Sequence, residues 1–198
     1  MKQLTRILAL FTLLSLFSCD KKPDPSETDN LFRFKEYISY TTYGTKSIAE
    51  PIEILLAKPL EQFELTQEIE NGYLKIHPKT EGTLLVENQR KLIFKPSEYL
   101  QPNTEYTLSL NLGKLYPGTP KEFKEYTFSF KTIAPNFKVN LGNLQSYSKE
   151  WQYVTGHVQS ADLISSEDAQ ALVKASQKGK NLKLDWPTEA GFAKFFEF

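Results

Sequence analysis

From about residue 31 to residue 133, apolar and polar side chains alternate, with Pro, Gly or Asn breaking the pattern about every 8 to 12 residues. A period of two marks strands with one buried face, because successive side chains leave opposite sides of the pleat. "PIEILLA" sets Ile52, Ile54 and Leu56 on one face, with Glu53 and Leu55 on the other. "GYLKIHP" offers Leu74 and Ile76, and "KLIFKP" offers Leu92 and Phe94. "EYTLSLNLG" points Tyr106, Leu108, Leu110 and Leu112 inward, and "EYTFSFKT" repeats the device with Tyr126, Phe128 and Phe130. With "EYISYTTY" and "TLLVE", about seven strands fall within about 100 residues, the count and spacing of an immunoglobulin-like sandwich.

The pattern changes after residue 133. "FKVNL" and "WQYVTGHVQ" read as strands. "SSEDAQALVKASQKGK" predicts a helix capped by Ser165, with Asp168 as the acidic partner three residues on. Ala169, Leu172 and Val173 form its apolar stripe, and Gly179 is the expected stop. "NLKLDW" and "AKFFEF" return to strand. The expected fold is therefore mainly β: an immunoglobulin/fibronectin-III-like β-sandwich over 31–133, followed by a second β-rich unit with one short helix over 134–198. That second unit reads as incomplete, because the sequence stops amid the apolar alternation of Phe196 and Phe198, and continuation of the polypeptide is expected.

The first 30 residues follow another logic. Lys2 and Arg6 precede an apolar run from Ile7 to Phe17, which is too short for the roughly 20 residues of a membrane-spanning helix. Residues 1–18 have the layout of a cleavable signal peptide. Leu16-Phe17-Ser18-Cys19 resembles the lipobox of bacterial lipoproteins, which implies a diacylglycerol on the Cys19 thiol and cleavage just before it. Cys19 is the only cysteine, so a disulfide within the chain is excluded. Residues 19–30, with Pro23, Pro25 and the acidic Asp24, Glu27 and Asp29, read as a solvated tether. Removing Lys2 and Arg6 from 24 basic residues leaves 22 against 24 acidic ones, a formal charge of −2. That balance offers no basic face for nucleic acid.

Leu100-Gln101-Pro102-Asn103-Thr104-Glu105-Tyr106 has the form L-x-P-x-T-x-Y and resembles the tyrosine corner of fibronectin type III and related sandwiches. Leu100, Pro102 and Tyr106 are accordingly structural. No nucleophile–base pair, phosphate loop or H-E-x-x-H helix is present, so no catalytic residue is assigned. His77 and His157 stand far apart, whereas zinc ligands cluster at short spacing, so no metal site or cofactor is expected beyond the covalent lipid on Cys19. Tyr37, Tyr40, Tyr43, Trp151 and Trp186 are candidates for sugar stacking. Strand alternation, however, puts Tyr40 on the face opposite Tyr37 and Tyr43. The loop "GKLYPGTPKEFK" is the best contact surface, though a plain connection turning at Pro117-Gly118 describes it better.

In their order along the chain, four stretches resemble the N-terminal part of bacterial alpha-2-macroglobulin-family lipoproteins. They are "YISYTTYGTKSIAEPIEILLAKPL", "KLIFKPSEYLQPNTEYTLSLNLGKL", "FSFKTIAPNFKV" and "VTGHVQSADLISSEDAQALVKASQKGKNLKLDW". The resemblance implies an Ig-like domain followed by the start of a macroglobulin-type domain. It also implies a protease trap held by lipid in the envelope of a Gram-negative bacterium, at the outer membrane, with membrane and proteases as partners. Some such proteins carry a Cys–Gln thioester, and this chain has no cysteine after Cys19 to form one. The alternative is a stand-alone surface lipoprotein whose sandwich binds a glycan or a protein. The lipobox yields a direct expectation: Cys19→Ser moves the protein from the membrane fraction to the soluble fraction and abolishes labelling by palmitate. Detergent dependence that persists in the variant contradicts the lipid assignment.

Overall fold

The computed structural model describes residues 27–70, 72–146, 148, 152–186 and 193–197. Leu16, Phe17, Ser18, Cys19 and Trp151 lie outside them. Residues 1–33 and 34–198 group as two compact units. In the first, Glu27–Arg33 forms helix α1, so the last residues assigned to the tether are helical. Arg33 in its last turn opposes the partial negative charge of the helix C-terminus.

The second unit is mainly β. A sandwich is followed by a further β-rich part that carries a short helix. Nine strands build the sandwich: β1 (Ile38–Thr41), β2 (Thr45–Lys46), β3 (Ile52–Leu56), β4 (Glu68–Ile69), β5 (Leu74–His77), β6 (Gly82–Asn88), β7 (Lys91–Pro96), β8 (Glu105–Asn111) and β9 (Glu125–Thr132). They form one sheet of order β1-β3-β7-β6-β4 and another of order β2-β9-β8-β5. The first segment changes sheets. β1 pairs antiparallel with β3, Thr42 closes that pairing through Glu53, and Gly44 at φ +69° lets the chain turn so that β2 runs parallel to β9.

Alternation puts the core where the apolar positions predict it. Ile52, Ile54 and Leu56 are buried, as are Leu92, Phe94, Leu108, Leu110, Tyr126, Phe128 and Phe130. Leu74 and Ile76 are only half-buried, because β5 is an edge strand with β8 as its one neighbour. On the outer face Lys91 meets Glu53 at 2.8 Å and Glu87 at 2.9 Å. Hydrogen bonds to these two carboxylates hold the Lys91 pKa above its ordinary value.

Leu112 is buried as expected, but it opens a short helix, α2 (Leu112–Leu115), which Asn111 caps by accepting the Lys114 N–H. The helix and the loop that follows are anchored at several points, although Pro117, Gly118, Pro120, Lys121 and Glu122 are exposed. Leu115 is fully buried, Thr119 nearly so, and the Tyr116 hydroxyl donates to the Lys58 carbonyl at 2.7 Å. Phe123 stacks edge-on to Phe34 at 5.3 Å, and Tyr37 lies 5.8 Å from Tyr116 with the Lys58 ammonium 4.5 Å from its ring. These rings close one end of the sandwich.

The further part pairs β10 (Phe137–Ser146) with β11 (Gln152–Ser160), and β11 with β14 (Ala193–Glu197), all antiparallel. Helix α3 spans Ser166–Leu172, and Ser165 caps it by accepting the Asp168 N–H at 3.0 Å. The helix ends earlier than the sequence suggests. Val173 is extended, and Leu172 is 40% exposed, so only Ala169 of the expected stripe is buried. Gly179 does not stop it. Lys178 (φ +50°) and Gly179 (φ +79°) form the two-residue turn between β12 (Ser176–Gln177) and β13 (Lys180–Asn181). A left-handed glycine serves either a helix end or a tight hairpin turn. Of "NLKLDW", only Asn181 belongs to a strand.

The half-buried Tyr116 hydroxyl generates a pH dependence. Burial pushes its pKa up to about 12, an effect that the nearby Arg90 partly offsets. An unfolded tyrosine ionises near about 10, so the stabilisation is fully present below about pH 10 and is lost as pH rises through about 12. Tyr116→Phe is expected to cost about 1 kcal/mol at neutral pH and to flatten the alkaline fall in stability. Denaturant midpoints measured across that range check it, and parallel curves for parent and variant contradict it.

Candidate functional site

Between β7 and β8 the chain crosses from one sheet to the other, so the backbone of residues 97–104 belongs to neither ladder. Buried peptide groups cannot be left unbonded without a penalty of about 1–3 kcal/mol. Tyr106, 2% exposed, places its hydroxyl where it accepts the Gln101 N–H at 2.9 Å. Its ring stacks on Phe130 at 5.4 Å, and Leu100 is buried beside this crossing, while Pro102 sits in the exposed turn. The fully buried Thr132 completes the fastening: its hydroxyl donates to the Gln101 carbonyl at 2.6 Å and accepts the Thr104 N–H at 2.9 Å. Asn103 supplies the left-handed turn at φ +51°.

The fastening continues outward. Leu100 N–H donates to the Ile48 carbonyl at 3.0 Å. Ile48 N–H donates in turn to Asp162 Oδ2 at 2.8 Å, and Ser47 Oγ donates to Asp162 Oδ1 at 2.5 Å. Asp162 also accepts the Leu163 N–H at 2.8 Å and is 6% exposed. A carboxylate among N–H and O–H donors makes bonds stronger than neutral pairs do. Asp162 follows β11, so a single side chain ties the three-stranded sheet to the sandwich loop.

The apolar side of that sheet is only partly covered. Val158 on β11 is fully buried, whereas Phe137 (45%), Val139 (39%), Leu141 (62%) and Leu144 (61%) stand exposed on β10. The register explains why the last two share a face although three positions apart. Leu141 pairs with Gly156 and Leu144 with Val154, so Gly142 and Asn143 oppose Thr155 alone in a β-bulge. A Cβ on Gly142 would lie 2.9 Å from Thr155 Oγ1, so a side chain here would have to displace Thr155. β10 is an edge strand of its sheet.

The other candidates separate. His77 is exposed on β5, and His157 on β11 lies 3.2 Å from the Asn140 amide. Among the described residues no group of three or more His, Cys, Asp or Glu side chains is placed to hold a metal. Tyr37 is buried, whereas Tyr40 and Tyr43 meet edge-to-face at 5.8 Å. The expected opposition of Tyr40 and Tyr43 is thus corrected: β1 ends at Thr41, and the turn into Gly44 breaks the alternation on which it rested. Trp186 is half-buried. Sequence reasoning missed Asp162, whose partners stand 114 and 115 positions away.

The chain matches no family model and no curated protein. Among solved structures it is similar to an L,D-transpeptidase from Mycobacterium tuberculosis, at 11% identity and a TM-score of 0.35 over 52% of this chain and 42% of that one. It is also similar to L,D-transpeptidase 3 from the same organism in complex with a faropenem-derived adduct, at 13% identity and a TM-score of 0.34 over 52% and 40%. The chain thus spans about two-fifths of the length of these structures. A likeness this slight carries no argument about chemistry.

Asp162→Ala removes the acceptor for three donors and is expected to cost about 2–3 kcal/mol of stability. Amide exchange at Ile48 and Leu163 should quicken by about tenfold or more, while the β8–β9 ladder keeps its protection. Unchanged exchange at both amides would show that the carboxylate is dispensable to the junction.

Proposed function

We propose that this chain is the N-terminal anchor and scaffold segment of a membrane-tethered alpha-2-macroglobulin-like protease inhibitor, with no catalysis in the segment itself. Cys19 carries the lipid, the sandwich acts as a stiff spacer, and the inhibitor as a whole acts on proteases in the cell envelope at the outer membrane. The observation that carries this reading is the contrast between the two β parts. The sandwich buries its own apolar faces, whereas the adjoining sheet keeps Phe137, Val139, Leu141 and Leu144 exposed along one edge strand. Contiguous exposed apolar side chains mark a surface that meets another part, and the Asp162 junction holds that surface in a set orientation to the spacer. A scaffold needs both properties.

The paired substitution Leu141→Lys with Leu144→Lys tests the reading. Both side chains are mostly exposed, so the thermal midpoint of this segment should stay within about 1 °C of the parent. In the intact membrane-bound protein the pair should abolish shielding of trypsin from protein-sized substrates, with cleavage of small peptide substrates unaffected throughout. Equal shielding by parent and variant argues against a docking role for the face, and absence of shielding by the parent removes the inhibitor reading.

A further inference from the structure

At the sandwich end, the chain leaving β7 forms a ridge of Ser97, Glu98 and Tyr99 with a hollow on either side. One hollow, of about 350 Å³, lies against Lys79, Glu81 and the Leu100–Gln101 crossing and has Tyr106 in its wall. The other, of about 410 Å³, lies against Ile48 and Ala49. Both fall at the small end of the roughly 300–1,000 Å³ typical of small-ligand sites. Tyr99 borders both hollows and is 69% exposed.

What distinguishes this ring from other surface tyrosines is the stiffness beneath it. Ser97 N–H donates to the Glu81 carbonyl at 3.0 Å, Leu100 N–H to the Ile48 carbonyl at 3.0 Å, and Gln101 N–H to Tyr106 Oη at 2.9 Å. The backbone is pinned two residues before Tyr99 and at both residues after it. Ile48 is itself held by Asp162. An aromatic side chain has few torsions to freeze, and on a fixed backbone it offers contact area at low entropic cost.

The groups beside the ring indicate what it would contact. Glu81 and Glu98 carry carboxylates, Lys79 pairs with Glu81 at 2.8 Å, and Ser97 adds a hydroxyl. Carboxylates accept hydrogen bonds from alcohols, and the negative face of an aromatic ring attracts the weakly positive C–H bonds of a flat polyol ring. One carboxylate in excess over the single ammonium disfavours an anionic ligand. We infer that the Tyr99 ridge is a binding site for a neutral oligosaccharide, one sugar ring stacking on Tyr99 while its hydroxyls reach Glu98 and Glu81. The site lies on the sandwich and goes beyond the scaffold role, which stands or falls on Cys19 and β10.

Calorimetry with the full chain tests it, using neutral tetrasaccharides of the cello-, malto-, xylo- and chito- series and polygalacturonate as an anionic control. At least one neutral tetrasaccharide is expected to bind with a dissociation constant of about 1 mM or tighter. Tyr99→Ala should weaken that binding about tenfold or more, and Tyr99→Phe should keep it within about threefold, both with the parent's thermal midpoint. Failure of every neutral tetrasaccharide to bind, binding of polygalacturonate alone, or affinity that survives Tyr99→Ala each overturns the inference.

Discussion

A chain that passes from one sheet of a sandwich to the other leaves both ladders, and each peptide group it buries on the way needs another partner. Between β7 and β8 that need is met where the Tyr106 hydroxyl takes the Gln101 N–H and the Thr132 hydroxyl serves both Gln101 and Thr104. The two sheets can close on each other because this crossing is internally bonded. Ile52, Ile54, Leu108 and Leu110 then reach 1% exposure or less on either side of the core.

The same bonds extend past the sandwich. Leu100 holds Ile48, and Ile48 is held by Asp162, so one series of contacts runs from the core crossing to the sheet that follows. The two parts differ in how they are stabilised. The sandwich relies on buried area, whereas the β10–β11–β14 sheet, in which Val158 is the fully buried apolar side chain among the described residues, relies on ladder bonds and on the Asp162 junction. The Tyr99 ridge lies where this series of bonds reaches the surface, which is why an exposed ring there is also a fixed one.

The parts that were legible in the sequence are those set by local periodicity. Alternation located β3, β7, β8 and β9 and their buried residues, and the L-x-P-x-T-x-Y spacing located Leu100, Pro102 and Tyr106. What escaped depends on distant partners or on choices that local chemistry leaves open. β2 and β4 are two residues long and exist only through pairing with β9 and β6. Gly179 suits a helix end and a hairpin equally, and the pairing of Gln177 with Lys180 decides for the hairpin. Tyr99 reads as one more aromatic until the hydrogen bonds on both sides of it are seen, and nothing near Asp162 in the chain announces Ser47.

The bulge at Gly142 and Asn143 sets the phase of β10. With two residues opposite Thr155, Leu144 falls in step with Phe137, Val139 and Leu141; the same residues in plain alternation would put Asn143 and Gln145 in the row instead. Loss of one of the two bulge residues would restore plain alternation and leave Leu144 in the row opposite Val154, whereas a residue lost elsewhere along the strand would swap oily for polar beyond that point. A strand one residue shorter at the bulge therefore keeps the same oily row.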